Sequence, residues 1–140
     1  MMIIKSIREY FLDCPILDEF IKIGVDYLDP DEKEYTIDPI PSNTVIKEYI
    51  DGGRLKQYLF VFASREFYGD DVIQNIENSG FYEKLSNWVD NQSKKGNLPI
   101  LSGNKKSIEL KVTTSGYLFN ATEDRARYQI QMQLVYYEEE

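Results

Sequence analysis

The clearest hydrophobic pattern lies at the end of the chain, where residues of two kinds alternate strictly from position 128 to 137. One set is Tyr128, Ile130, Met132, Leu134 and Tyr136, and the other is Gln129, Gln131, Gln133, Val135 and Tyr137. A period of two predicts a strand with one buried face and one face that meets water or a polar partner. Because glutamine is uncharged, the second face is suited to contact another surface without electrostatic repulsion.

The other patterns predict two helices and five further strands. Apolar residues at helical spacing indicate a helix over 2–13, which ends at Cys14-Pro15 because the residue before proline disfavours helix. A longer helical pattern covers 70–95, and Asn78-Ser79-Gly80 predicts a break or bend in it. Strands are expected over 20–28, 35–41, 43–50, 54–64 and 107–119.

Three details of these strands bear on the architecture. Asp51-Gly52-Gly53 predicts a hairpin turn, and the prolines in 35–41 place that strand at an edge or near its own end. Residues 58–63 are apolar on both faces, which predicts a central strand covered by a helix on each side. In the next-to-last strand, Ile108, Leu110 and Val112 are expected to point inward. Together these predict a single α+β domain over 1–140, a mainly antiparallel sheet with helices packed on it, in the order α-ββ-ββ-α-ββ.

Composition excludes several classes of function. The net charge of −8 disfavours a protein that clamps a nucleic-acid backbone, although DNA could still slide past an acidic surface. The chain has no histidine, which removes the usual general base, and one cysteine, Cys14, which excludes an intrachain disulfide. Neither a signal pattern nor an apolar run of membrane-spanning length occurs, so we expect a soluble protein of a reducing compartment, without membrane or cofactor.

Two acidic clusters could suggest a cation site, and each has a simpler interpretation. Glu66, Asp70 and Asp71 fit a helix start better than a magnesium site, since no phosphate-binding loop accompanies them. The acidic run at 29–34 lacks the central glycine of a calcium loop and fits a solvated turn. No metal site and no catalytic residue are therefore predicted.

The candidate interface residues lie near the predicted strand ends and on the glutamine face. Arginine is enriched in interfaces, although surface salt bridges within one molecule explain it equally well. Residues 115–126 are polar and aromatic, and are either a loose loop or an arm that reaches a partner; exposed aromatics favour the arm. The candidate residues are Arg65, Tyr68, Tyr117, Phe119, Arg125, Arg127, Gln129, Gln131 and Gln133.

Segments spread over nearly the whole chain resemble one protein family. They are 35–41 (YTIDPIP), 51–53 (DGG), 57–65 (QYLFVFASR), 78–82 (NSGFY), 95–101 (KGNLPIL), 114–119 (TSGYLF) and 126–130 (ARYQI). Together they resemble the small minor capsid, or tail-terminator-like, proteins encoded among the structural genes of tailed phages and prophages of Gram-positive bacteria.

The resemblance implies a tail-terminator-like domain that is not an enzyme and forms a ring, expected to be a hexamer. Such a ring caps the tail tube, ends its polymerisation and presents a surface to the head connector or, where one exists, caps the contractile sheath. DNA would pass through its lumen without specific binding. The implied location is the tail or neck of the virion, assembled in the bacterial cytoplasm. Alternatives left open are another head–tail joining protein, a small acidic DNA-mimic inhibitor and a carboxylate-only enzyme.

Overall fold

A computed structural model of the chain describes residues 2–17, 23–25, 35–67, 72–121 and 125–140. The elements in chain order are α1 (Ile3–Leu12), β1 (Ile23–Val25), β2 (Tyr35–Ile40), β3 (Val45–Glu48), β4 (Arg54–Phe67), α2 (Val72–Lys94), β5 (Lys105–Val112), β6 (Tyr117–Ala121) and β7 (Arg125–Glu138). The predicted α+β class is confirmed, with two helices and a seven-stranded, mostly antiparallel sheet. Of the predicted strand 20–28, only 23–25 is described and forms β1, since 18–22 and 26–34 lie outside the described residues.

The last strand occupies the middle of the sheet. The order is β1-β2-β4-β7-β5, with β3 beside β4 and β6 beside β7. β4 and β7 pair along fourteen residues each, from Arg54↔Glu138 to Phe67↔Arg125. Among the described strand pairs, only β1 and β2 run parallel. Because β7 has a partner on each side, its backbone is used within the chain and it can offer only a face to another molecule.

Both helices pack on the same face of the sheet. The Phe11 ring of α1 lies 5.3 Å from the Phe62 ring, between ring centroids. The Tyr82 hydroxyl of α2 donates to the carbonyl of Tyr128 at 2.8 Å. The Ser64 hydroxyl lies 2.6 Å from the same Tyr82 oxygen. Phe62, Ser64 and Tyr128 share one side of the sheet, because strand residues two apart, and residues paired across strands, share a face.

The prediction of one helix on each side of β4 was therefore wrong. The opposite face of β4 is apolar and buried as well, since Val61 and Ala63 are 7% and 0% exposed. No helix of the described part of the chain lies over these two residues. Long side chains of neighbouring strands stand beside these two residues. The local pattern predicted the burial of both faces correctly, but it could not place both helices on one of them.

The core face of β7 agrees with the predicted alternation. Its five inward residues are each at most 5% exposed: Tyr128, Ile130, Met132, Leu134 and Tyr136. The hairpin around the two glycines is confirmed as well, with the Tyr49 N–H donating to the Gly53 carbonyl at 2.8 Å. Gly52 has a φ of 89°, a left-handed conformation that glycine adopts at little cost.

Two local predictions were wrong, and a third is excluded in part. The predicted break at 78–80 is absent: α2 runs unbroken through Gly80, since one internal glycine costs a helix only about 1 kcal/mol. Ile108 is 49% exposed, since β5 has a bulge between Ser107 and Glu109 that shifts the alternation. Residues 117–121 are not a loose loop, because they form β6 and pair with β7 of the same chain, and their contact with a partner stays a prediction.

Glu138, at the end of β7, connects three strands. Its carboxylate lies 3.0 Å from Lys56 Nζ of β4 and 3.8 Å from Lys105 Nζ of β5. The hydrogen bond from Lys56 holds the pKa of Glu138 below its ordinary value of 4.5, opposed by burial and helped by the charges of Lys56, Lys105 and Arg54. A lowered pKa adds stability above the unfolded pKa, and this contribution is lost as pH falls through the folded pKa.

We therefore expect Glu138→Gln to reduce the free energy of unfolding by about 1 kcal/mol at neutral pH, a small amount because all three side chains keep contact with water. The deficit should shrink as the pH falls below about 4.5, where the wild-type carboxylate also becomes neutral. Urea unfolding at several pH values measures it, and Glu139→Gln removes the same charge from the neighbouring exposed residue as the control. A deficit that persists unchanged in acid would contradict this role.

Candidate interaction surface

The surface that the helices leave uncovered is the candidate site. We call it the helix-free face, and it is formed by alternate residues of β2, β4, β6 and β7: Thr36, Asp38, Leu59, Val61, Ala63, Arg65, Tyr117, Arg127, Gln129, Gln131 and Gln133. These side chains lie together because side chains alternate along each strand, so that the residues between them point to the helix-covered face. β2 and β7 contribute polar residues to this face and β4 contributes the apolar Leu59, Val61 and Ala63 between them, so the face carries few charges.

Hydrogen bonds connect the glutamines into an ordered layer. Gln129 Nε2 donates to the Tyr117 hydroxyl at 2.6 Å, and Gln131 Nε2 lies 3.3 Å from the same oxygen. Gln133 Nε2 donates to Gln57 Oε1 at 2.6 Å. Side chains already held by neighbours lose little further freedom when a partner binds, so this layer is preorganised for contact.

An ion pair fixes one end of this layer. Arg127 donates to Asp38 Oδ2 at 2.8 Å and, through Nε, to Gln129 Oε1 at 3.0 Å. Thr36 Oγ1 donates to the second Asp38 oxygen at 2.9 Å, and the Phe119 ring lies 5.4 Å from the Arg127 guanidinium carbon. Asp38 thereby neutralises one arginine and positions it over an exposed aromatic ring.

A second arginine lies directly opposite the first. Arg65 of β4 is the register partner of Arg127 of β7. Its Nε is buried without a hydrogen-bond partner, the one such side-chain atom among the described residues. Like charges directly opposite each other on neighbouring strands are unfavourable, and Asp38 pairs with only one of them. Arg65 therefore carries a buried donor, Nε, that no described group accepts from.

The structure brings together most of the residues that the sequence singled out. Tyr117, Phe119, Arg127 and the three glutamines lie together on β6 and β7, and Arg65 faces them from β4. Arg125 begins β7, but its side chain lies outside the described residues, as does all of Tyr68. The partners assigned to these residues at the sequence level stay predictions.

Sequence reasoning missed Thr36, Asp38 and Gln57. Thr36 and Asp38 alternate with the inward Tyr35 and Ile37, so the period of β2 could have placed them on the helix-free face. Their link to Arg127 spans 89 residues of sequence and had no local signal.

Cys14 is buried, as is typical of a structural thiol. Burial raises the pKa of its thiol above the ordinary value, which disfavours the reactive thiolate. Within the described ranges, no group of three or more Cys, Asp or Glu residues is placed to hold a metal ion. None of the described helices combines the length and apolar character needed to cross a bilayer.

No protein-family model matches this sequence, and the search of curated proteins finds no significant match.

Proposed function

We propose that this protein is a structural component of a tailed phage or phage-like particle: a tail terminator whose hexameric ring caps the tail tube. In this role it stops polymerisation of the tube and joins it to the head connector, or caps the sheath in a contractile tail. The proposal rests on the family resemblance along nearly the whole chain, and the fold supports it through the surfaces that it leaves available.

The observation that carries the proposal is the placement of both helices on one face of the sheet. The other face keeps a preorganised polar layer, and the outer sides of β1, β3, β5 and β6 have no strand partner in the described part of the chain. A closed ring needs two different patches on each copy, one meeting the other patch of its neighbour. The sheet supplies two unlike edges for such contacts and a face for a third partner.

The ring is tested first by the mass of the purified protein in solution. Light scattering on a sizing column should give a species close to six times the 16.4 kDa of one chain. High protein concentration favours assembly, and salt screens the repulsion between copies that each carry a net charge of −8. A mass that stays at one chain at every concentration contradicts a ring that forms by itself.

The terminator role is tested in the particle that the chain belongs to. A stop codon early in its reading frame should give tails of variable and excessive length without heads, because nothing ends tube growth. A different head–tail joining protein would leave detached tails of normal length. Particles with normal joined tails would overturn both roles, and electron microscopy of the lysate distinguishes the three outcomes.

A further inference from the structure

A cleft lies between the two helices, on the side of the sheet opposite the helix-free face. One wall is a stripe of α1 and its C-cap, whose residues are spaced three or four apart and therefore share one side of the helix: Ser6, Glu9, Tyr10 and Asp13. The other wall is formed by α2 and its link to β5: Trp88, Asn97, Leu98 and Ile100. The cleft has a volume of about 280 Å³, so it suits a single side chain better than a large ligand.

Hydrogen bonds hold the two walls in place. The Tyr10 hydroxyl donates to the Asn97 carbonyl at 2.9 Å. The N–H groups of Gly96 and Asn97 donate back to carbonyls in the last turn of α2 at 3.1 and 2.9 Å, which fixes the link at the helix end. Burial, with a smaller contribution from Cys14, raises the pKa of Tyr10 to about 12, so its hydroxyl remains a donor at neutral pH. The cleft is therefore formed before anything binds.

Aromatic rings line the cleft between its walls. The ring centroids of Tyr10 and Trp88 lie 5.4 Å apart, with the ring planes tilted by 52°. Both side chains are partly exposed and both line the cleft. Tryptophan and tyrosine rings attract cations, and tryptophan does so most strongly.

The α1 wall carries two negative charges without a cation. Glu9 and Asp13 are exposed, and neither forms an ion pair within the described ranges. Like charges four residues apart repel each other. α1 also has no basic residue in its last turn, and the C-terminal end of a helix adds partial negative charge. A cation in the cleft would remove this unfavourable arrangement.

The wall opposite these carboxylates is apolar. It includes Leu98, which is partly buried, and Ile100, which is 86% exposed. An acidic wall that faces an apolar wall fits a ligand with an aliphatic stem and a positive end, which is the chemistry of lysine and arginine side chains.

We propose that this cleft, which we call the acidic cleft, binds a lysine or arginine side chain presented by a partner protein. The stem packs along Trp88 and Ile100, and the charged end lies near the Glu9 and Asp13 carboxylates. The small volume admits one side chain, and exposed Ile100 at the rim offers apolar surface to the residues beside it. The net charge of −8 attracts a basic segment from a distance and repels phosphate groups. The acidic cleft is not part of the helix-free face, so this site is independent of the tail-terminator role.

Trp88 reports on binding directly, because it is the only tryptophan of the chain and lines the cleft. Titration with n-butylammonium, which has the stem and charge of a lysine side chain, should change its fluorescence and its indole N–H resonance at millimolar concentrations. 1-Butanol has the stem without the charge and methylammonium the charge without the stem, so each should bind about tenfold more weakly or worse. Added salt should weaken the binding of n-butylammonium. No change in either signal would overturn the site.

Charge removal tests the acidic wall. Glu9→Gln and Asp13→Asn in one chain should raise the dissociation constant of n-butylammonium about tenfold, without changing the circular dichroism, since both residues are exposed. The control is Glu109→Gln with Glu139→Gln, which removes the same two charges from exposed residues outside the cleft. It should change the dissociation constant by less than about twofold. Equal weakening in both variants would show attraction to the overall charge and overturn the site.

Ile100→Ser tests the apolar wall. Because Ile100 is 86% exposed, the substitution should leave the fold intact. It should reduce the advantage of n-butylammonium over methylammonium about threefold, since the stem loses apolar contact. An unchanged ratio of the two dissociation constants would overturn the packing of the stem against this wall.

A peptide separates a side chain of a partner protein from a free amine. The blocked pentapeptide Gly-Gly-Lys-Gly-Gly should bind at least as tightly as n-butylammonium, and the same peptide with norleucine in place of lysine should not bind. Loss of peptide binding in the Glu9→Gln, Asp13→Asn variant would place the lysine in the acidic cleft. Binding of n-butylammonium without binding of the lysine peptide would assign the cleft to a free amine and overturn the proposal.

Discussion

Replacing Phe62 by alanine is expected to lower the free energy of unfolding by about 3–5 kcal/mol, the largest effect of any single change considered. Phe62 is fully buried on the helix-covered face of β4, and its ring contacts Phe11 of α1 and Tyr35 of β2, with centroids 5.3 Å and 5.5 Å away. Truncation removes these contacts and leaves a cavity between helix and sheet. Because domains are stable by only about 5–15 kcal/mol, the variant should be close to unfolding.

The matched control is Leu59→Ala on the helix-free face of the same strand. Leu59 is only partly buried, so its loss should cost less than about 2 kcal/mol. Urea unfolding followed by circular dichroism measures both variants. Equal losses would contradict the assignment of the core to the helix-covered face alone.

The second large effect is expected at Gly116, in the link between β5 and β6. A β-carbon added there would lie 2.4 Å from Cβ and 2.6 Å from Cγ of Tyr82, closer than carbon atoms can approach. Tyr82 cannot move aside easily, because it is 2% exposed and hydrogen-bonded to Ser64 and to the Tyr128 carbonyl. Gly116→Ala should therefore destabilise the protein by about 1–3 kcal/mol through overpacking.

Gly80→Ala is the control of opposite sign. Gly80 lies within α2, and an added β-carbon there would have no atom within 4 Å. Alanine favours helix over glycine, so this change should stabilise the protein by up to about 1 kcal/mol. Thermal unfolding of the two variants should shift in opposite directions. A stabilised Gly116→Ala would show that the β5–β6 link does not pack against Tyr82.

The candidate surface was partly predictable because strand periodicity is local. Alternation alone placed Gln129, Gln131 and Gln133 on one face of the last strand, and they do share a face. Their hydrogen bonds could not be predicted, since Gln133 bonds Gln57 across 76 residues of sequence. The position of β7 between β4 and β5 could not be predicted for the same reason, because the order of strands in a sheet depends on contacts between distant segments.

What the sequence by itself determined was the α+β class, the first helix, the glycine hairpin and the buried face of the last strand. Each follows from side-chain spacing or backbone freedom within a few residues. Only the tertiary structure decided that both helices share one face, that α2 continues through Gly80, and that a bulge turns Ile108 outward. These outcomes depend on packing and register between segments far apart in the chain, and no short stretch of residues contains that information.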